Sequence, residues 1–208
     1  KLLIIIKYKY ISISPINTHP FSFQVNPLSA DLKIRTTRKV PKLGLMLVGW
    51  GGNNGSTLTA ALEANRRQLE WKTRTGTQKA NWFGSITQAS TVLLGSDEEG
   101  RDVYAPMKDL VPMVDPNNIV VDGWDISSLN LGESMRRAQV LDVELQNQLY
   151  KGMSALKPRA SIYDADFIAA NQSERADNVI KGTKMEQYEQ IRRDIRDFKA
   201  SENLDSVL

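Results

Sequence analysis

The residues best suited to chemistry lie in the segment 49–56, whose sequence is Gly-Trp-Gly-Gly-Asn-Asn-Gly-Ser. Glycines allow a backbone to approach an anion closely, and the first N–H groups of a helix have no partner within that helix. The first three glycines can form a tight turn, and Gly55 lets the following helix pack closely. Asn53 and Asn54 tolerate left-handed backbone conformations and add amide donors. The segment therefore predicts a binding site for the phosphates of a dinucleotide.

The spacing of these glycines leaves one alternative open and excludes another. It is Gly-x-Gly-Gly-x-x-Gly, so Asn54 stands where the third glycine of the usual dinucleotide pattern would fall. A glycine turn with a purely structural role is therefore the alternative. A nucleotide-binding P-loop is excluded, because that motif needs a lysine directly before the serine, and Gly55 precedes Ser56 here.

Two flanking elements must position this turn. Residues 44–49 form a short apolar run bounded by glycines, which is typical of a strand buried on both faces of a parallel sheet. Residues 57–67 have the composition of a helix. Strand, glycine turn and helix together open a β-α-β unit, which predicts an α/β fold with a Rossmann-like domain built on a parallel sheet.

Later segments continue this alternation. Residues 118–121 predict a second buried strand, and apolar residues at spacings of three and four from Leu131 to Leu149 predict one helix, capped by Ser127 or Ser128. The residues 203–208 resemble the entry to a further buried strand. We expect the sheet to be incomplete within these 208 residues, because its remaining strands would belong to a missing C-terminal part.

A final helix is predicted from a Thr-x-x-Glu capping box that begins at Thr183. Apolar residues at helical spacing predict one buried face, and charged residues predict an opposite, solvated face. The apolar residues are Met185, Tyr188, Ile191, Ile195 and Phe198, and the charged ones are Arg192, Arg193, Asp194, Arg196 and Asp197.

A dinucleotide site of this class also needs a carboxylate for the ribose hydroxyls, at the end of the second strand. Glu70 lies at about the expected distance from the glycines, but no convincing strand precedes it. Asp125 follows the predicted strand at 118–121, and ligands collect at the carboxyl ends of parallel strands. Asp125 is therefore the preferred candidate, with a helix-capping role as the alternative. A carboxylate there would repel the 2′-phosphate of NADP.

Composition excludes several other classes of site. The chain has no cysteine, which excludes disulfides, thiolate metal centres and a cysteine nucleophile. It has a single histidine, His19, so most mechanisms of histidine-based catalysis would depend on that one imidazole. We predict no metal site. The net charge of +3 is uneven, since residues 1–43 carry eight basic residues and one acid, while residues 44–208 carry nineteen basic residues and twenty-three acids. Binding of nucleic acid or anionic lipid could therefore be argued only for the N-terminus.

Three segments are predicted along the chain. Residues 1–24 form an atypical leader without glycine, alanine, arginine or acids, for which two interpretations stay open. One is translated non-coding sequence from a faulty gene assignment, and the other is a β-strand, because residues 7–13 alternate with period two. Residues 25–43 are expected to form an N-terminal arm containing a short strand at 32–36, and residues 44–208 the partial Rossmann-like domain.

Six segments of the chain together resemble the eukaryotic inositol-3-phosphate synthase family, also called myo-inositol-1-phosphate synthases. The resemblance spans about residues 25–208, which corresponds to roughly the first two-fifths of a family member, and does not cover residues 1–24. The segments are VPKLGLMLVGWGGNNGSTLTA, NWFGSITQAS, DGWDISSLNL, VLDVELQ, DFIAANQSERADNVIKGTK and EQIRRDIRDF.

The resemblance implies conversion of D-glucose 6-phosphate to 1D-myo-inositol 3-phosphate, an isomerase reaction of inositol and phospholipid biosynthesis, by a cytoplasmic homotetramer. NAD is the implied cofactor, and it takes a hydride from C5 and later returns it. Meanwhile the C5 ketone acidifies C6, and an intramolecular aldol reaction closes the ring. No nucleic acid or membrane partner is implied.

The same resemblance assigns site residues by motif. The implied NAD contacts are Gly51, Gly52, Asn53, Asn54, Asp125 for the adenosine ribose, Ser161, Ile162, Gln172 and Arg175. It implies no catalytic residue within these 208 residues, because the catalytic lysines and phosphate-binding residues belong to the missing part. An alternative is an inactive NAD-binding or regulatory product of the same locus, which associates with the full-length enzyme.

Overall fold

A computed structural model describes residues 2–15, 23–36 and 39–208 of the chain. The first two ranges contain strands β1 (Leu2–Pro15) and β2 (Phe23–Thr36), which pair antiparallel with Leu2 opposite Thr36. The alternating segment 7–13 lies within β1, and the strand predicted at 32–36 is the end of the longer β2. His19 lies outside the described residues.

The rest of the chain alternates between strands and helices. The strands are β3 (Leu43–Val48), β4 (Glu70–Thr73), β5 (Gly76–Lys79), β6 (Thr91–Ser96), β7 (Asp102–Pro106), β8 (Val120–Asp125), β9 (Arg159–Ala160) and β10 (Ser206–Val207). The helices are α1 (Asn53–Arg66), α2 (Ile86–Ala89), α3 (Met107–Leu110), α4 (Leu131–Ala138), α5 (Val143–Ser154) and α6 (Lys184–Ser201). Single 3₁₀ turns lie at Pro116–Asn118 and Ala170–Arg175.

A four-stranded parallel sheet organises the domain, with the spatial order β10-β3-β8-β9. Within this sheet β3 comes first along the chain, β8 second, β9 third and β10 fourth. The spatial order is therefore that of the first four strands of a Rossmann sheet. This arrangement confirms the predicted fold class and the further strand at 203–208.

Helices cover both faces of the sheet, as the apolar sequence of β3 predicts. One face packs against α1, α4 and α5 in a core formed by Trp50, Ala60, Ala64, Ala80, Leu131, Met135, Leu145, Leu149 and Met153. The other face packs against α6 in a smaller core formed by Met46, Trp124, Phe198 and Leu204. Val48, the last residue of β3, is exposed, so burial on both faces holds for the body of the strand and not for its carboxyl end.

The single helix predicted from Leu131 to Leu149 is wrong, because the structure has two helices there. Gln139 adopts a left-handed conformation with φ of 54°, which ends α4 after Ala138, and α5 begins at Val143. The predicted cap is also wrong. Asn130 caps α4 by accepting a hydrogen bond from the N–H of Glu133 at 3.0 Å.

Helix α6 begins at its predicted capping box, in which Thr183 and Glu186 bond each other's backbone N–H groups. Its predicted faces are partly wrong. Asp194 is buried, whereas Met185 and Tyr188 are more than half exposed. Asp194 faces the sheet because Trp124 donates an indole hydrogen bond to its carboxylate at 2.7 Å, so this charge has a buried partner that helical periodicity does not reveal.

The segment between α1 and β8 holds two antiparallel hairpins, β4–β5 and β6–β7, and the short helices α2 and α3. Several apolar side chains of this segment are exposed, namely Phe83, Ile86, Leu93, Leu94 and Tyr104. Among the helices that the structure describes, none is both long enough and apolar enough to cross a membrane.

Candidate functional site

The glycine turn lies where the carboxyl ends of β3 and β8 meet. Gly49 has a φ of 79°, a conformation that favours glycine, and its N–H and that of Trp50 both donate to the carbonyl oxygen of Trp124 at 2.9 Å. The N–H of Gly52 donates to the carbonyl oxygen of Gly49 at 2.9 Å. The last residues of β8 therefore fix the conformation of the turn.

Helix α1 begins four residues earlier than the predicted segment at 57–67. Asn53 and Asn54 lie in its first turn, so they do not use the left-handed conformations that asparagine tolerates. The first bond of the α-helical type runs from the N–H of Ser56 to the carbonyl oxygen of Gly52 at 3.0 Å. No acceptor among the described residues bonds the N–H groups of Asn53, Asn54 and Gly55. These three donors point out of the positive end of the helix.

Of two glycines in the turn, Gly55 has no space for a side chain and Gly51 has little. A Cβ atom on Gly55 would lie 2.4 Å from the carbonyl oxygen of Trp50, so the helix packs against the turn as predicted. A Cβ atom on Gly51 would lie 3.2 Å from Oδ2 of Asp125. Beside the turn is an open cleft of about 500 Å³, and its lining includes Gly49, Gly52, Asn53, Asn54 and Leu58.

Asp125 is the last residue of β8 and is only 3% exposed. Its Oδ1 accepts a hydrogen bond from the N–H of Ser127 at 2.9 Å and another from Nη2 of Arg175 at 3.2 Å. Its Oδ2, which faces Gly51, has no donor among the described residues. Asp125 does not cap α4, because Asn130 does. One oxygen of a buried carboxylate is therefore available to a ligand beside the glycine turn.

Gln172 and Arg175 come to Asp125 from the 3₁₀ turn at Ala170–Arg175. Nη1 of Arg175 donates to Oε1 of Gln172 at 2.9 Å, while Nη2 reaches Asp125. The amide of Asn178 donates to the backbone carbonyl of Asp125 at 3.0 Å and holds the segment against β8. The structure thus brings together three predicted residues that are up to 50 positions apart in the chain.

Ser161 and Ile162 follow β9 directly, so they lie at the same carboxyl edge of the sheet as Asp125. The N–H of Ser161 donates to the carbonyl oxygen of Asn178 at 3.0 Å. Its hydroxyl makes no hydrogen bond to Asp125, Gln172 or Arg175, and the side chain of Ile162 is exposed. The two residues border the cluster and are not part of its hydrogen-bond network.

Glu70, the alternative carboxylate, is remote from this arrangement. It begins β4, pairs antiparallel with β5, and its carboxylate lies 3.5 Å from the ammonium group of Lys79. A hairpin strand does not end at the carboxyl edge of the parallel sheet. Asp125, at the end of β8, lies at that edge and Glu70 does not.

Sequence reasoning missed Arg137. This residue lies in the last turn of α4, and its Nη2 donates to the carbonyl oxygen of Gly51 at 2.6 Å. Burial lowers the pKa of Arg137, the charge of Arg175 lowers it further, and the charge of Asp125 raises it. The only signal in the sequence is the pair Arg136-Arg137, which is typical of a solvated helix surface.

Ser134 lies one turn before Arg137 on α4 and also faces the glycine turn. Its buried hydroxyl has no hydrogen-bond partner among the described residues and would lie 3.2 Å from a Cβ atom on Gly51. Helix α4 therefore packs a small polar side chain directly against the backbone of the turn.

Comparison with known proteins identifies the family. Residues 43–208 match the model of an NAD-binding domain described as myo-inositol-1-phosphate synthase. This chain belongs to that family. The match starts at β3 and ends with β10, so it spans the parallel sheet and the cluster around Asp125. NAD is accordingly the cofactor of the domain.

Similarity to individual members of the family supports this assignment. The chain is 68% identical over 201 residues to inositol-3-phosphate synthase of Drosophila melanogaster, which covers 97% of this chain and 36% of the relative. It is 63% identical over 185 residues to inositol-3-phosphate synthase 1 of Bos taurus, covering 89% and 33%. The chain thus spans about a third of the length of these curated relatives. The first match extends into residues 1–24, beyond the motifs that carried the sequence resemblance.

A solved structure from the same synthase family has the same fold. The crystal structure of inositol-3-phosphate synthase from Caenorhabditis elegans aligns with a TM-score of 0.87 and 42% sequence identity. The alignment covers 99% of this chain and 40% of that chain.

The residues of this synthase domain fit NAD by their chemistry. The unpaired N–H groups at the start of α1 suit a pyrophosphate, and the open Oδ2 of Asp125 suits a pair of ribose hydroxyls. The glycines leave room for close approach of both groups. In the part of the chain that the structure describes, no cluster of three or more histidine, cysteine or acidic side chains could hold a metal ion.

Proposed function

We propose that this chain is the NAD-binding part of an inositol-3-phosphate synthase, which converts D-glucose 6-phosphate to 1D-myo-inositol 3-phosphate. The observation that carries the proposal is the open carboxylate oxygen of Asp125 beside the unpaired N–H groups of α1, at the carboxyl edge of a parallel sheet in a chain of this family. Backbone donors for phosphate and a carboxylate for ribose are the two requirements of NAD recognition by this fold.

Each predicted contact has a role in this proposal. Gly51, Gly52, Asn53 and Asn54 hold the pyrophosphate through backbone donors and close approach. Asp125 accepts hydrogen bonds from the adenosine ribose, and Arg175 positions its carboxylate. The remaining contacts are Ser161 and Ile162, which follow β9 at the carboxyl edge of the sheet, and Gln172, which accepts a hydrogen bond from Arg175.

When bound, NAD supplies reversible hydride transfer, so the overall conversion involves no net oxidation. The residues of this chain bind and orient the cofactor. The described residues bring no general base and no phosphate-binding lysine cluster to the cleft. We therefore assign proton transfer and sugar-phosphate binding to the part of the family's longer proteins that these 208 residues do not cover. The complete enzyme is proposed to act as a cytoplasmic homotetramer, without a nucleic acid or membrane partner.

Two proteins test this function. One is the 208-residue chain, and the other is the same chain extended by the remaining sequence of the Drosophila melanogaster relative. Isothermal titration should show NAD binding to both proteins, and only the extended protein should convert D-glucose 6-phosphate to the inositol phosphate. Absence of NAD binding from both proteins would contradict the proposal, as would binding of NAD without conversion by the extended protein.

A further inference from the structure

Two arginines and two acids lie around the end of β8, because Asp177 is within electrostatic range of Arg175 in addition to Asp125. Two guanidinium groups approach Asp125 from different elements, Arg175 at 3.2 Å from Oδ1 and Arg137 through its bond to the carbonyl oxygen of Gly51. Gly51 in turn lies against Oδ2 of the same carboxylate. Two arginines therefore flank Asp125 at the place that we propose for the adenosine ribose.

Both arginines retain donors that the described residues do not use. Arg137 uses Nη2 for its bond to Gly51, and its other guanidinium N–H groups make no hydrogen bond among the described residues. Nε of Arg175 is buried and has no hydrogen-bond partner among the described residues. These donors are therefore available to an acceptor group of a ligand beside Asp125.

The charges of the three groups affect one another. After burial, the nearby charge of Arg175 is the next cause that lowers the pKa of Arg137, while Asp125 raises it. Arg137 thus lies within electrostatic range of both residues. Removal of the negative charge of Asp125 would leave Asp177, near Arg175, as the remaining acid and would leave Arg137 without its nearby negative charge.

Resting on the proposed NAD site, we propose that Arg137 and Arg175 form a binding site for a 2′-phosphate that Asp125 keeps closed. A carboxylate beside the ribose repels a 2′-phosphate, whereas arginine binds phosphate through short, charge-assisted hydrogen bonds. In folds of this class, an arginine near the ribose accommodates the 2′-phosphate of NADP. Asp125 is then the residue that selects NAD, and Arg137 is a second determinant of cofactor specificity.

The test uses two probes that differ only in the 2′-phosphate, adenosine 5′-monophosphate and adenosine 2′,5′-bisphosphate. Binding of each to the full chain is measured by isothermal titration. The substitution Asp125→Asn keeps an oxygen that can accept from Ser127 and Arg175. We expect it to raise the affinity for the bisphosphate relative to the monophosphate by at least tenfold, with the same direction for NADP relative to NAD.

Addition of Arg137→Gln to this variant should remove most of that gain. The matched control is Arg136→Gln, because Arg136 lies on the same helix and stacks over the ring of Tyr150 at 3.6 Å instead of facing the cleft. The control should keep the gain. An equal loss from both arginine substitutions would mean that net charge alone acts, and it would overturn the proposal.

Native NAD binding separates this inference from the proposed function. A native chain that binds NAD while Asp125→Asn gains no preference for the bisphosphate keeps the function and overturns the inference. If Asp125→Asn does not fold, Arg137→Gln alone decides, because it should weaken bisphosphate binding severalfold more than monophosphate binding. Equal effects on the two probes would overturn the inference.

Discussion

Two buried carboxylates lie on opposite sides of the sheet near the end of β8. Only one of them has hydrogen-bond partners on both of its oxygens. On the α6 side, Asp194 accepts from the indole of Trp124 at 2.7 Å and from the amide of Gln190 at 2.8 Å, with Arg159 at 3.5 Å. On the α1 side, Asp125 is as deeply buried but has donors on one oxygen only.

This difference separates a structural carboxylate from one that we propose to bind a ligand. A buried carboxylate with partners on both oxygens offsets its own desolvation and holds elements together. A buried carboxylate with one open oxygen keeps an unmet requirement that a ligand can fulfil. The same residue type and burial therefore serve stability on one face of the sheet, and we propose that they serve binding on the other.

The strongest test of the structural side is Asp194→Ala. It removes the acceptor of the Trp124 indole and leaves Arg159 with Asp122 as its remaining partner. We expect the free energy of unfolding to fall by about 3–4 kcal/mol, measured by urea denaturation. The control Asp197→Ala, at an exposed position of the same helix, should change it by less than about 0.5 kcal/mol. An equal effect of both changes would break the comparison.

On the Asp125 side, the backbone should be the most sensitive feature. Gly55→Ala forces a methyl group against the carbonyl oxygen of Trp50, so backbone atoms must move. We expect the free energy of unfolding, measured by thermal denaturation, to fall by about 2–3 kcal/mol. Gly152→Ala is the matched control, since its Cβ atom would have no neighbour closer than 3.8 Å in α5. The control should be neutral or stabilising by up to about 1 kcal/mol. A tolerated Gly55→Ala would contradict the close packing of helix and turn.

Asp125→Asn should affect binding more than stability. The open Oδ2 loses its charge, while an amide oxygen can still accept from Ser127 and Arg175. We expect NAD to bind about 30-fold more weakly, which corresponds to about 2 kcal/mol for a hydrogen bond to a charged group. Titration calorimetry measures the affinity for NAD. The free energy of unfolding of the ligand-free protein, measured by urea denaturation, should fall less than in Asp194→Ala. The reverse ranking would show that Asp125 is the structural carboxylate.

Glu186 extends the comparison to an exposed carboxylate. Hydrogen bonds from the backbone N–H and hydroxyl of Thr183 lower its pKa below the usual value. The stabilisation of the folded state by these hydrogen bonds is therefore complete above the usual glutamate pKa. It is lost as the pH falls through the lowered pKa of Glu186. Thr183→Ala should cost about 1 kcal/mol at pH 7 and less in acid, whereas Thr183→Ser should remain close to the native chain. A cost independent of pH would exclude this linkage.

Local patterns predicted those parts of the molecule whose causes lie within a few residues. The strand at β3, the glycine turn, the capping box of α6 and the carboxylate at the end of β8 each depend on short-range sequence. The predictions that failed concern features that depend on residues outside the local pattern. Gln139 interrupts an apolar repeat that continues across two helices, and Asp194 turns inward because Trp124 lies opposite it.

Residue type and spacing specify the glycine turn, its strand and helix, and the carboxylate at the end of β8. In contrast, the packing of distant segments specifies which carboxylate remains open and which arginines surround it. Arg137 and Arg175 reach Gly51 and Asp125 across 86 and 50 positions. Such contacts arise when α4 and the 3₁₀ turn pack onto the carboxyl edge of the sheet, and no local pattern specifies that packing.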